Sequence, residues 1–383
     1  MIYLDNAATT RVAPEVFEAM SPFLQDEYGN PSSVYALAGR SAAALDTARA
    51  TVAEYLGAEP DEIVFTGSGS EADNLAIKGT MRKREGGHLI TSAIEHHAVL
   101  HTCRYLQEEG YELTVVGVDE HGLVDPEEVR SAIREDTRLV SIMHSNNEVG
   151  TIQPIEEIAA IARERGIKMH TDAVQSLGKV PLKVAELGVD MLAVSAHKIH
   201  GPKGVGALYI RRGFRPEPII HGGGQERRMR AGTENVAGIV GFARAIKLAT
   251  EHGHEATERM RALRDRLIAD VMESIPETLL SGHPTNRLPN LASFLFRYIE
   301  GEGILLSLDM KDIAGSSGSA CTSGSLDPSH VLLAMGYPHE IAHGSLRLSL
   351  SRYTTEEEID AVLEALPPII QRLRDMSPLY QRK

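Results

Sequence analysis

Cysteine is scarce in this chain: two residues, Cys103 and Cys321, among 383. Two thiols cannot build a disulfide framework, so the composition points to a reducing compartment rather than an oxidising one. No apolar run reaches the ~20 residues that a membrane span needs. The opening MIYLDNAATT lacks the basic-then-apolar pattern of a secretory signal. Positive charge is also in short supply. Thirty-nine Lys and Arg face 53 Asp and Glu, and the formal net charge of −14 repels nucleic acid phosphates and anionic lipid surfaces. No basic cluster offsets it, and internal repeats, heptad arrays and low-complexity tracts are missing. A cytoplasmic protein without a nucleic-acid or membrane role is expected. Its length exceeds the ~250–300 residues one core usually serves, so two lobes are expected as well.

What is present is an alternation of short β-rich runs and amphipathic stretches. EIVFTG (62–67), HLITS (88–92), ELTVVGV (112–118), RLVSIMHS (138–145), IKMHTD (167–172), DMLAVS (190–195) and VGALYI (205–210) read as seven strands. Helical patterns such as 71–84 and 154–165 separate most of them, which predicts an α/β fold with a mainly parallel sheet flanked by helices. From about residue 252 long charged helices surround a few strands, including LASFLF (291–296) and SLRLSL (345–350). The division expected is a large α/β domain over 14–251 and a smaller α+β domain formed by 1–13 with 252–383.

In open α/β sheets ligands lie beyond the carboxyl ends of the strands, so the polar residues that follow each strand carry the functional signal. After EIVF comes TGSGSEADN, a glycine turn entering a helix whose N-terminus suits a phosphate. Gly67, Gly69 and Ala72 fit a dinucleotide fingerprint, with Glu95 near the place of a ribose-binding acid. A plain helix start, with Glu71 at the positive end of the dipole, explains the same residues. Asp172 and Gln175 follow the fifth strand, and His197 and Lys198 follow the sixth. A lysine at such an edge can be desolvated into a nucleophile toward aldehydes, and an acid and a phosphate cup nearby suit pyridoxal phosphate better than hydride transfer. Cys321 sits in SSGSACTSGS (316–325), a run with little side-chain volume to bury a structural thiol. Cys103, in AVLHTCRYL, has helical neighbours and is assigned to packing.

The collinear segments YLDNAATT, GSGSEADN, EHHAV, SNNEVGTIQP, HTDAVQ, SAHKIHGPKGVGALY, GGGQE, RAGTEN, SGSACTSGSLDPSH and SLRLSLSRYT resemble the signatures of cysteine desulfurases of the NifS and IscS type. These are class V, fold-type I pyridoxal phosphate enzymes. The resemblance runs from residue 3 to about residue 354. It implies that Lys198 holds the cofactor as a Schiff base and then moves the Cα proton. It further implies that Asp172 pairs with the pyridinium nitrogen, Gln175 bonds the ring hydroxyl, and His96 stacks on the ring as a candidate acid/base. Gly69, Ser70, Ser195 and His197 would hold the phosphate, joined by Thr233 of a neighbouring subunit, so a homodimer is implied. Arg347, with Asn147, would grip the carboxylate of the substrate, L-cysteine. Cys321 would take its sulfur as a persulfide, leaving alanine.

In this chain RAGT stands where RSGT is usual, so Ala231 offers no hydroxyl. The long Cys321 segment resembles the group serving iron–sulfur cluster assembly, which implies an iron–sulfur scaffold or another sulfur acceptor as partner. No metal site belongs to this reading. Alternatives are another class V enzyme, an aminotransferase or selenocysteine lyase, or a catalytically idle sulfur-relay subunit. Gly315, Gly318 and Gly324 are expected to lend the cysteine segment torsional freedom.

Overall fold

The structure is a computed structural model and describes residues 1–251, 253–318 and 328–380. A two-residue strand, β1 (Ile2–Tyr3), opens the chain. The seven strands expected from the sequence follow as β2 (Ile63–Thr66), β3 (His88–Ser92), β4 (Glu112–Val116), β5 (Thr137–Ser141), β6 (Lys168–Asp172), β7 (Met191–Ser195) and β8 (Gly206–Ile210). They form one sheet in the order β2-β8-β7-β6-β5-β3-β4. Pairing is parallel from β4 through β7, and only β8 runs against its neighbours β7 and β2. The expected mainly parallel sheet is therefore present.

Strand alternation explains why this sheet carries helices on both faces. Phe65, Leu192 and Val194 enter one apolar cluster with Val52 and Phe242. Their neighbours Val64, Met191 and Ala193 enter another, with Leu75 and Ile77. Successive side chains of a strand point to opposite faces, so a strand covered on both sides is mostly apolar, and a polar residue within it, such as His88 bonded to Thr137 and Thr114, needs partners. β2, β3, β7 and β8 are buried at every position, whereas the edge strand β4 is half exposed.

Three of the expected strands end early: β2 at Thr66, β4 at Val116 and β5 at Ser141. β5 stops at Ser141, and the chain continues beside β6 with Ile142 N bonded to His170 O at 3.2 Å and His144 N to Asp172 O at 2.8 Å. Asn146 then turns it, its Oδ1 accepting from Glu148 N at 2.8 Å and Val149 N at 2.9 Å. A side chain that replaces a ladder partner ends a strand without a Gly or Pro to announce it.

Beyond the sheet, β9 (Thr278–Leu280), β10 (Leu291–Phe296) and β12 (Ser345–Ser349) pair antiparallel in the order β12-β10-β9. β11 (Ile313–Ala314) pairs parallel with β1. Helices Gly253–Ser274 and Glu356–Met376 cover this part, the second started by a capping box between Thr355 and Glu358. Their apolar sides join Phe294, Phe296, Leu346 and the N-terminal Leu4 in a separate cluster. Among the described residues no helix is long and apolar enough to cross a membrane.

Candidate active site

β2, β3, β6 and β7 end at one edge of the sheet, and the polar residues that follow them meet there around a cavity of about 320 Å³. β7 closes on Ser195, and a single 3-10 turn, Ala196–Lys198, brings the lysine back toward the strand ends. Lys198 Nζ donates to the carbonyls of Ala7 at 2.6 Å and Ala8 at 2.7 Å. That N-terminal segment is pinned in turn: Thr10 Oγ1 donates to His197 O at 2.9 Å, and Asn6 Nδ2 to Ser349 O at 2.8 Å.

Asp172, the last residue of β6, is buried, and its Oδ1 accepts from Val174 N at 2.9 Å. Burial pushes its carboxyl above the ordinary range, while the Val174 amide and the Lys198 charge pull it down. A cation placed against it in this cavity relieves that burial cost. Gln175 Nε2 donates to Ala7 O at 2.9 Å, and its buried Oε1 has no hydrogen-bond partner among the described residues. His96 caps helix His97–Glu108, its Nδ1 accepting from Ala98 N at 3.1 Å. Burial, with the Lys198 charge, lowers its pKa to about 4. The ring is therefore neutral near pH 7, and with Nδ1 acting as acceptor its hydrogen sits on Nε2.

The helix Gly69–Met81 starts at the same edge, with Ser68 Oγ accepting from Glu71 N at 3.1 Å. The amides of Gly69 and Ser70 belong to the first turn, where no carbonyl of the helix reaches them. Glycine is required at 69 by closeness: a Cβ there would lie 2.7 Å from Val174 Cγ2 and 3.4 Å from Ser195 Cβ. Ser195 and His197 line the cavity beside this turn. Burial, then the neighbouring Lys198 charge, lowers the pKa of His197 to about 4. Arg347, in β12, reaches the cavity almost fully buried. It donates through Nη1 to Asn147 O and through Nη2 to Asp5 Oδ1, both at 2.9 Å, and its Nε has no hydrogen-bond partner among the described residues.

Of the residues expected at the site, Gly69, Ser70, His96, Asn147, Asp172, Gln175, Ser195, His197, Lys198 and Arg347 all line this one cavity. Thr233 does not; it is exposed on the chain's surface. Cys321 lies outside the described residues. Cys103 is buried in its helix, as expected, with its thiol pKa pushed up by burial. Three expectations need correction. Glu95 cannot reach a ribose, because it is sealed from solvent and accepts from Ser92 Oγ at 2.5 Å and Met143 N at 2.9 Å. Gly315 and Gly318 are packed rather than free. Between them Ser316 pairs with Arg347, and Gly318 N donates to Ser345 Oγ at 3.1 Å. A Cβ at Gly315 would lie 2.9 Å from Leu348 Cδ2, so both glycines serve close approach.

The reading of strand ends missed Asp73, a buried carboxyl that also lines the cavity. It stands 3.5 Å from His170 Nε2 without a hydrogen bond at Oδ1, and burial beside Asp172 and Glu95 holds it well above the usual carboxylate range. Its position one turn into the cofactor-side helix was the available signal. The carbonyls of Ala7 and Ala8 had none, since backbone atoms leave no trace in residue type.

A lysine beside a buried carboxylate, an amide oxygen without a hydrogen-bond partner among the described residues and a close-packed helix N-terminus fit pyridoxal phosphate. This arrangement on a mainly parallel, helix-flanked sheet defines a fold-type I pyridoxal phosphate enzyme. Residues 2–362 match the family Aminotransferase class-V. The chain is 55% identical over 384 residues to Cysteine desulfurase IscS of Methanosarcina thermophila, covering 100% of this chain and 95% of that protein. It is 51% identical over 382 residues to Cysteine desulfurase IscS of Dictyoglomus turgidum, with 99% and 97% covered. Among solved structures, a NifS-like protein superposes with a TM-score of 0.91 at 42% identity, covering 97% of this chain and 99% of the other. SspA in complex with cysteine gives 0.82 at 38% identity, with 92% and 99% covered. The chain belongs to the class-V aminotransferase family, in the branch of the IscS and NifS cysteine desulfurases.

Proposed function

We propose that this chain desulfurates L-cysteine, giving L-alanine and a persulfide on Cys321. The observation that carries the reading is the convergence of Lys198, Asp172 and Arg347 on one cavity. Bound there, pyridoxal phosphate would supply an electron sink that accepts the electron pair developed at the substrate Cα. Lys198 holds the cofactor and moves the Cα proton. Asp172, already burdened by its burial, keeps a positive charge on the ring nitrogen. Arg347 receives the substrate carboxylate, a task suited to guanidinium, and its unpartnered Nε supports that role. His96 presents Nε2–H as the donor near the substrate sulfur. In the transfer the substrate C–S bond breaks, an S–S bond forms on Cys321, and the thiol proton ends on the alanine carbon, so no outside oxidant is needed.

The test is alanine release from L-cysteine by the cofactor-loaded protein, with mass spectrometry of the Cys321 peptide. One added sulfur on Cys321, absent in Cys321→Ser, is expected. Pyruvate-family keto acids in place of alanine would identify an aminotransferase instead.

We infer further that the active form is a homodimer in which Thr233 completes the partner's phosphate cup, in a cytoplasmic setting. The exposure of Thr233 and its absence from the lining of this chain's own cavity support this. Mixed dimers of Lys198→Ala and Thr233→Ala chains should regain part of the activity that each homodimer lacks; no recovery in confirmed heterodimers overturns it. The sulfur acceptor is proposed to be an iron–sulfur scaffold or another sulfur-carrying protein, consistent with the IscS names of the relatives. The division into 14–251 and 1–13 with 252–383 is proposed from the separate apolar clusters.

A further inference from the structure

Glu148 is a buried carboxyl that the proposed chemistry does not use. It follows Asn147, whose carbonyl accepts from Arg347, and it points away from solvent toward two chain crossings. On one side Ser329 Oγ donates to Glu148 Oε2. The same Ser329 Oγ accepts from Val331 N at 3.1 Å and Leu332 N at 3.3 Å, so it starts the helix His330–Ala334. On the other side Gly318 passes so close that a Cβ would lie 2.9 Å from Glu148 Oε2 and 2.8 Å from Ser329 Cβ. Gly318 and Ser329 are the flanks of the stretch that includes Cys321, eleven positions apart in sequence, and they pass each other closely beside the carboxyl that accepts from Ser329. Burial lifts that carboxyl to about 7, while the Ser329 hydroxyl and the Arg347 charge favour its ionised form.

We propose that Glu148 is a positioning residue for sulfur capture: by holding Ser329 where Gly318 passes, it fixes the place at which the cysteine-bearing stretch ends relative to where it begins. The proposal rests on Cys321 being the sulfur acceptor. It separates sulfur capture from cofactor binding, since the Glu148 carboxyl bonds Ser329 at one flank of Cys321 and, among the described residues, hydrogen-bonds none of the groups assigned to the cofactor.

The experiment compares Glu148→Ala, Glu148→Gln and Ser329→Ala with the unaltered protein. In cofactor-loaded enzyme, persulfide formation on Cys321 should fall in Glu148→Ala by roughly ten- to a hundredfold, the scale of an ångström-sized misplacement. The KM for L-cysteine and the cofactor absorbance should stay unchanged. Glu148→Gln keeps an acceptor for Ser329 and should recover most of the rate, while Ser329→Ala should lose it alongside Glu148→Ala. In cofactor-free protein, alkylation of Cys321 by iodoacetamide should change rate in Glu148→Ala and not in Glu148→Gln; Cys103 is buried and stays silent. A Glu148→Ala enzyme with the unaltered persulfide rate overturns the proposal, as does a loss shared equally by KM and cofactor retention. If the unaltered enzyme places no persulfide on Cys321, the desulfurase reading fails, and an unchanged alkylation rate then overturns the positioning role on its own.

Discussion

Glu95 and His96 are adjacent in sequence, yet only the histidine reaches the cavity. Glu95 has one oxygen occupied by Ser92 and Met143 and the other, Oε2, without a partner. Burial raises its pKa from the ordinary 4.5 to about 8, against the pull of those hydrogen bonds. The folded chain therefore holds a proton over a range in which the unfolded chain has released it. Stability from this group is complete below about 4.5 and is lost as the pH rises toward about 8. Glu95→Gln keeps the acceptor oxygen and removes the titration. In thermal melts of cofactor-free protein the variant should gain on the unaltered chain as pH climbs through that window. An offset that stays constant with pH would contradict it. His170 works in the opposite sense: burial lowers its pKa to about 3, so it costs stability as the pH falls below 6.5. Its Nδ1 is bonded to Ser141 Oγ at 2.8 Å.

At the scale of elements, the phosphate-side turn depends on how near the start of helix Gly69–Met81 can come to the ends of β6 and β7. Gly69→Ala puts a methyl 2.7 Å from Val174 Cγ2, and one of the two elements must shift. Retention of pyridoxal phosphate on dialysis should weaken by about tenfold or more, with the far-ultraviolet circular dichroism unchanged; a variant that retains cofactor normally would show that the turn does not hold the phosphate. The seven strands and the lysine turn were legible in the sequence because short β-rich runs alternate with amphipathic helical stretches and end in polar residues. Arg347 was legible from its motif, but its partner Asp5 was not, since 342 positions separate them. The packed state of Gly315 and Gly318 was also hidden. Gly and Ser runs read as flexible by composition, and the strand they lie against is contributed by residues 345–349.

At the scale of the whole molecule, the first ten residues connect parts that lie far apart in sequence. Leu4 is fully buried among Phe294, Phe296, Leu346 and Ile370. Leu4→Ala should lower the unfolding free energy by about 2–5 kcal/mol in urea titrations, the usual range for an emptied core site. A cost near zero would mean that the N-terminal strand contributes little to that cluster. Three and four positions further along, the same segment offers the carbonyls of Ala7 and Ala8 to Lys198, and β1 pairs with β11 about 310 residues later. Synthesis therefore sets an order. The N-terminal strand leaves the ribosome first and has no partner until Ile313 and Ala314 emerge, roughly 15–60 s afterwards at 5–20 residues per second. Until then the lysine turn can form on the nascent sheet while the segment that receives its amine is still waiting for the far end of the chain.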